Sequence, residues 1–166
     1  TGMDISPLLN HLAGQPTLLT IFDPASNTRT ELTIKPISLG AQGALLYDRW
    51  VKQRRDLVDK LSNGTVGYVH VRGMDDESYR DTYAEALGRE SGKKALIVDT
   101  RYNGGGNLHD ELATFLSGKR YLEFFPRGQS LGWEPVNKWD QKTAVIIGES
   151  NYSDAHLFPW VYQHQK

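Results

Sequence analysis

The stretch Ala95-Leu96-Ile97-Val98-Asp99, running into Thr100-Arg101-Tyr102-Asn103-Gly104-Gly105-Gly106-Asn107, decides the fold class. An apolar run without alternation predicts a strand buried on both faces, as in a parallel sheet covered by helices. The glycine-rich loop then leads into a helical pattern over Leu108–Leu116, with Leu112, Phe115 and Leu116 inward. Upstream, Val66–Val71 (VGYVHV) reads as a strand, and Ser78–Arg89 as a helix started by the Asp75–Ser78 cluster. Downstream, Thr143–Gly148 (TAVIIG) reads as another buried strand, and the chain is helical from Ser153. Strands alternating with helices make this an α/β core with a mainly parallel sheet. Between its second helix and last strand, Lys119–Trp133 reads as irregular and aromatic, with Phe124-Phe125-Pro126 and Leu131–Trp133 expected to pack in the core or, alternatively, to form a substrate or subunit contact.

Ahead of this core the pattern differs. Ile5–Leu12 reads as a short helical piece, and Thr17–Phe22 and Arg29–Lys35 as two strands of a hairpin. Asp23-Pro24-Ala25-Ser26-Asn27 supplies the turn between them, and Pro36 ends the ladder because proline has no N–H to donate. Leu45–Leu61 is a predicted helix with Leu46, Trp50, Leu57 and Leu61 on one stripe and Tyr47, Val51 and Val58 beside it. Asn63-Gly64 stops it.

Composition bounds the function. The 166 residues carry a net charge of -1, with 39% hydrophobic and 23% charged residues, so nothing in the charge balance calls for nucleic acid. With no cysteine, thiolate chemistry and disulfides are excluded. No apolar run approaches the length of an integral membrane segment. The opening Thr1-Gly2-Met3-Asp4 lacks the pattern of a signal peptide, and both ends read as those of an excised piece. No Asp/Glu/His set has metal-ligand spacing, and neither GxGxxG nor a P-loop is present, so no metal and no cofactor is expected.

Two polar loops lie at the carboxyl ends of strands, where open parallel sheets gather their ligands: Thr100–Asn107 and Glu149–Ser153. Asn103-Gly104-Gly105-Gly106 can form a nest of N–H groups for an anion or oxyanion, or be a turn that binds nothing. Ser153, in Asn151-Tyr152-Ser153-Asp154, reads either as the N-cap of an ordinary helix or as a nucleophile raised at a strand–helix turn. In the second reading the N–H of Asp154 helps to bind the oxyanion. None of the five histidines is a convincing base. His70, inside a strand, reads as packed or hydrogen-bonded in the core, and His11 and His164 as surface residues. His156 stands one turn beyond Ser153 and His109 just past the glycine loop; both are candidates for substrate contact.

Three segments, Gly64–Met74 (GTVGYVHVRGM), Ala95–Gly106 (ALIVDTRYNGGG) and Ala144–Pro159 (AVIIGESNYSDAHLFP), resemble the peptidase core of tricorn proteases and their bacterial relatives. That group is related to the carboxyl-terminal processing serine peptidases. The helix before Gly64 resembles the one entering that core, and the upstream hairpin resembles the last strands of a preceding PDZ domain. The resemblance implies residues 1–38 as the C-terminal portion of a PDZ-like domain, 39–63 as a connecting helix, and 64–166 as a partial core of the ClpP/crotonase type, built from ββα units. It implies a serine peptidase acting through an acyl-enzyme, with Ser153 as nucleophile and the N–H groups of Gly106 and Asp154 as the oxyanion hole. Gly104 and Gly105 shape the loop; Asn103 and Arg101 match the motif without an assigned chemistry.

The pattern departs from the family in the base and its acidic partner. In tricorn-like members the base is a histidine before the PDZ domain and an acidic partner lies well after the nucleophile; in the other branch the base is a lysine well past the serine, and none of these positions falls within these residues. The implied partner is a peptide or unfolded protein; the family's fold often assembles into rings or trimers, which makes a homo-oligomer an option here without a readable interface, and the compartment stays undetermined, with an extracytoplasmic location favoured over a cytoplasmic one. The alternative is a non-catalytic module that captures peptide termini on a PDZ remnant and a silent crotonase-like domain.

Overall fold

The computed structural model describes residues 4–165. They form two units that meet between Trp50 and Val51, inside a helix. In the first unit, a single 3-10 turn at Ser6–Leu9 stands where a longer helical piece is predicted. Strands β1 (Thr17–Asp23) and β2 (Thr28–Ile34) pair antiparallel, with Thr17 opposite Ile34 and Asp23 opposite Thr28. The Asp23 carboxylate accepts from the Ala25 N–H at 2.9 Å and the Ser26 hydroxyl at 2.8 Å, closing the turn predicted there. None of the described residues of this unit is buried.

Helix α1 (Leu39–Leu61) starts six residues before its predicted beginning. Ser38 caps it: its hydroxyl accepts from the Ala41 N–H at 3.1 Å and its carbonyl from the Gln42 N–H at 2.9 Å. Gly40 and Gly43 hide that start in the sequence, because glycine weakens a helical pattern without forbidding it. The half-buried side is Tyr47, Trp50, Val51, Arg54, Arg55 and Val58. Leu46, Leu57 and Leu61, placed on the inward stripe from the sequence, are exposed.

The second unit is built on three parallel strands in the order β3 (Val66–His70), β4 (Ala95–Asp99), β7 (Lys142–Ile146). Val66, Ala95 and Lys142 stand level at one end; His70, Asp99 and Ile146 stand level at the other. Helix α2 (Asp76–Leu87) links β3 to β4, and its first turn is capped by the Asp75 carboxylate, 2.8 Å from the Ser78 N–H. Helix α3 (His109–Leu116) follows β4, and α4 (Asp154–Gln165) follows β7. Val69, Val71, Leu96 and Val98 point to one face of the sheet. There they join Ala86 of α2, Leu112, Phe115 and Leu116 of α3, Ala155 and Phe158 of α4, and the loop residues Met74 and Trp139 in a single buried core.

The third strand is less buried than its apolar sequence implies. Ala144 is exposed and Val145 and Ile146 are half-buried, because β7 is an edge whose outer side pairs with no strand among the described residues. Lys119–Trp133 is not wholly irregular either. It holds a small antiparallel hairpin, β5 (Leu122–Phe124) with β6 (Gly132–Glu134). Phe124, Phe125 and Trp133 lie exposed on it rather than in the core. With only three residues on each side, the hairpin gives periodicity too little length to register. No helix of the described residues is long and apolar enough to cross a membrane.

Phe115 ties two helices together. Its ring meets Tyr79 edge-on at 6.2 Å between centroids and lies 5.4 Å from Tyr83, both on α2. Phe115→Ala should lower unfolding free energy by about 3–5 kcal/mol, read as a fall in the urea midpoint at unchanged slope.

Candidate functional site

Because β4 and β7 are parallel neighbours that end level, the loops after them emerge side by side, as the sequence requires if both serve one crevice. The loop after β3 joins them. Met74 forms a parallel bridge with Gly106: its N–H donates to the Gly105 carbonyl at 3.1 Å, and its carbonyl accepts from Asn107 at 2.7 Å. Those two bonds use the groups on either side of Gly106, so its own N–H points away from Met74. A side chain is impossible there, since a Cβ would lie 1.9 Å from the Met74 carbonyl oxygen and φ is +149°. At Gly105 a Cβ would stand 2.7 Å from the Cβ of Ser153, so the glycine loop and the serine loop are in contact through that missing side chain. Gly104 differs, because a Cβ there meets open space.

Asn103 joins all three loops and is fully buried. Its Nδ2 donates to the Val71 carbonyl after β3 at 3.0 Å, and its Oδ1 accepts from Gly105 at 2.9 Å. Its own carbonyl accepts from the Tyr152 N–H beside Ser153 at 3.2 Å. The sequence marks Asn103 as a loop residue; that it spans three loops follows only from the strand order.

Ser153 sits at φ +52°, the left-handed region that non-glycine residues seldom enter. Its carbonyl accepts from His156 at 2.9 Å and Leu157 at 3.2 Å, opening α4. The hydroxyl is exposed and bonds to no described residue, so the side chain does not cap the helix as the N-cap reading expects. N-caps take extended backbone, and a positive φ aims the side chain elsewhere. Asn151 steadies the turn from behind. Its Nδ2 donates to the Thr100 hydroxyl at 2.8 Å and to the Ala155 carbonyl at 3.4 Å, an acceptor that Pro159, without an N–H, leaves open.

The N–H groups of Gly106 and Asp154 donate to no acceptor among the described residues. Asp154 lies at the start of α4, where the first N–H groups have no intrahelical partner and the helix dipole favours negative charge. An exposed hydroxyl, two uncommitted amides and a helix N-terminus thus meet at one sheet end.

The other candidates divide. His109 is half-buried with its Nδ1 2.5 Å from the Asp154 carboxylate, a bond no spacing rule predicts across that separation. His156 is exposed on α4. His70 is half-buried and its Nε2 donates to the Arg101 carbonyl at 2.9 Å; burial pushes its pKa down. His11 and His164 are exposed, as expected.

Beneath the loops lies a buried charge. Arg101 forks onto Asp99, with Nε 2.9 Å from Oδ1 and Nη2 2.5 Å from Oδ2, and the Tyr68 hydroxyl donates to the same carboxylate at 2.8 Å. Burial alone would raise the Asp99 pKa, but the hydrogen bonds from the Arg101 side chain and N–H and from Tyr68 outweigh it and hold the carboxyl below its ordinary value. Gly148 leaves room for the Arg101 stem, which a Cβ there would approach to 3.2 Å.

Residues 65–166 match peptidase family S41, and the chain belongs to that family. Within it the similarity is to tricorn proteases. Tricorn protease of Thermoplasma acidophilum is 32% identical over 117 residues, 70% of this chain and 11% of that protein. Tricorn protease homolog 1 of Streptomyces coelicolor is 30% identical over 151 residues, 91% of this chain and 14% of that protein. The crystal structure of the tricorn protease superposes with a TM-score of 0.76 at 27% identity, over 95% of this chain and 15% of that one. The chain therefore spans little more than a tenth of the length of these relatives.

Two outcomes test this geometry. Asn103→Ala strands the Val71 carbonyl and the Gly105 N–H, and should cost about 2–3 kcal/mol in urea unfolding. Asp99, with its folded pKa depressed, contributes stability above the ordinary aspartate value and loses it as pH falls through the lower folded-state value. The unfolding midpoint should therefore drop below about pH 4 in the wild type, and Asp99→Asn should flatten that drop.

Proposed function

We propose that this chain carries the nucleophile and oxyanion hole of a serine-type peptidase that cleaves peptide bonds through a Ser153 acyl-enzyme. The observation that carries the reading is the meeting of an exposed, unbonded Ser153 hydroxyl with two uncommitted amides, those of Gly106 and Asp154. Membership of peptidase family S41 and the similarity to tricorn proteases support it.

In the proposed reaction Ser153 Oγ attacks the scissile carbonyl while a base takes its proton, and the carbonyl oxygen becomes an oxyanion held by the two amides. Collapse breaks the C–N bond, and the amine leaves with the proton returned by the conjugate acid of the base. Water, deprotonated by the same base, then releases the acid product and restores the serine. No histidine or lysine among the described residues bonds to the Ser153 hydroxyl, so the base comes from outside this set. The tricorn-like branch, with an upstream histidine, is the form its Asn-Tyr-Ser-Asp segment favours. In the same reading the sheet unit is a partial ClpP/crotonase-type core, the first unit is the end of a PDZ-like domain, and the substrate is a peptide or unfolded protein.

A fluorophosphonate probe on the complete protein, base included, should label Ser153, and Ser153→Ala should abolish labelling and peptide hydrolysis together. Hydrolysis that survives in Ser153→Ala would falsify this reading; peptide binding without hydrolysis in the wild type favours a silent binding module instead.

A further inference from the structure

Acyl transfer needs only the N–H of Asp154, yet its carboxylate is buried and fully engaged. Oδ2 accepts from the N–H groups of Leu108 at 2.6 Å and His109 at 2.9 Å, and Oδ1 accepts from His109 Nδ1 at 2.5 Å. Its side chain is 5% exposed. We propose that Asp154 is a positioning residue: by gripping the start of α3, its carboxylate sets the separation between its own N–H and that of Gly106. The inference rests on the acyl-transfer reading and names what would fix the width of the oxyanion hole.

One amide stands on the glycine loop and the other at the first residue of α4, and neither lies within a strand, so the register of the sheet does not fix their spacing. Two donors share one oxyanion only if each lies about 2.7–3.1 Å from it. A direct tie between the loops is required, and Asp154 supplies it with one end on each. Its backbone is one donor; its carboxylate holds Leu108, two residues beyond the other. Leu108, at the N-cap position of α3, has no side chain able to cap the helix, so Asp154 supplies the cap from α4. An ionised carboxylate only accepts, so the imidazole proton lies on Nδ1 and the ring becomes a third anchor. The bond from Tyr152 to Asn103 holds the loops on the other side of Ser153.

A plain cap would affect stability alone; a positioning role affects the transition state. The test uses the complete protein that supplies the base, with fluorophosphonate labelling of Ser153 and the inactivity of Ser153→Ala establishing the nucleophile first. Asp154→Ala should then lower kcat roughly 100-fold with KM nearly unchanged, the scale of loss for a misplaced oxyanion donor. Asp154→Asn, which keeps an acceptor for the backbone N–H groups and the capping ability of asparagine, should fold and lose about tenfold, because its amide replaces the charge-assisted bond to the imidazole with a weaker neutral one that also needs the other tautomer. In both variants the inhibition constant of a peptide aldehyde, whose hemiacetal oxygen occupies the hole, should rise by the factor by which kcat/KM falls. Wild-type kcat in folded Asp154→Ala or Asp154→Asn overturns the proposal, as does a loss of kcat with aldehyde affinity intact. An active Ser153→Ala overturns the acyl-transfer reading itself, a result distinct from a serine-dependent enzyme indifferent to Asp154.

Discussion

Everything at the working end of this molecule depends on three parallel strands finishing on one line. His70, Asp99 and Ile146 stand level, so the chain leaves the sheet at three adjacent points. Parallel strands need crossover connections, and here the crossovers are helices whose apolar faces form the core on one side of the sheet. The loops are thereby brought close enough to bond to one another rather than only to water. Asn103 and the Met74 bridge are the result: backbone groups that would be orphaned in an isolated loop find partners in a neighbouring one.

The ion pair of buried Asp99 with half-buried Arg101 lies at this junction. The Asp99 charge is compensated three ways, by the guanidinium, the Arg101 N–H and the Tyr68 hydroxyl, which together offset the desolvation cost of the buried carboxylate. Such a pair fixes direction more than it adds stability, because a fork has one good geometry. Arg101 passes alongside Gly148 at the end of β7, so the same side chain that neutralises Asp99 also spaces the two strand ends.

Much of this was legible in the residues. Leu96 and Val98 announce a core strand, Asp75 a helix start, and the consecutive glycines a backbone that must come close to something. The contact that demands the glycine at position 106 is with Met74, whose place beside it depends on strand order, which periodicity does not encode. For the same reason Val145 and Ile146 look like core residues and prove half-buried, since an edge and a centre share one composition. Asp154 reads as a helix-start residue; its grip on α3 is a long-range contact with no local signature. His109 is identifiable as lining the loop, but its carboxylate partner is not.

Ser153 illustrates how little of such a site is local. A left-handed backbone at a non-glycine residue costs about 1–2 kcal/mol and persists only where surrounding contacts over-determine it. Those contacts come from elsewhere: Asn103 holds Tyr152, Gly105 leaves room for the serine, Asn151 reaches to Thr100, and α3 receives Asp154. A peptide copied from Gly148 to Pro159 would keep the Asn151 bond to Ala155 but lose Asn103, Thr100, Gly105 and α3, and its serine would relax to ordinary backbone. The exposed hydroxyl is a product of the assembled sheet end, and it belongs to the tertiary structure in the way a keystone's position belongs to the arch.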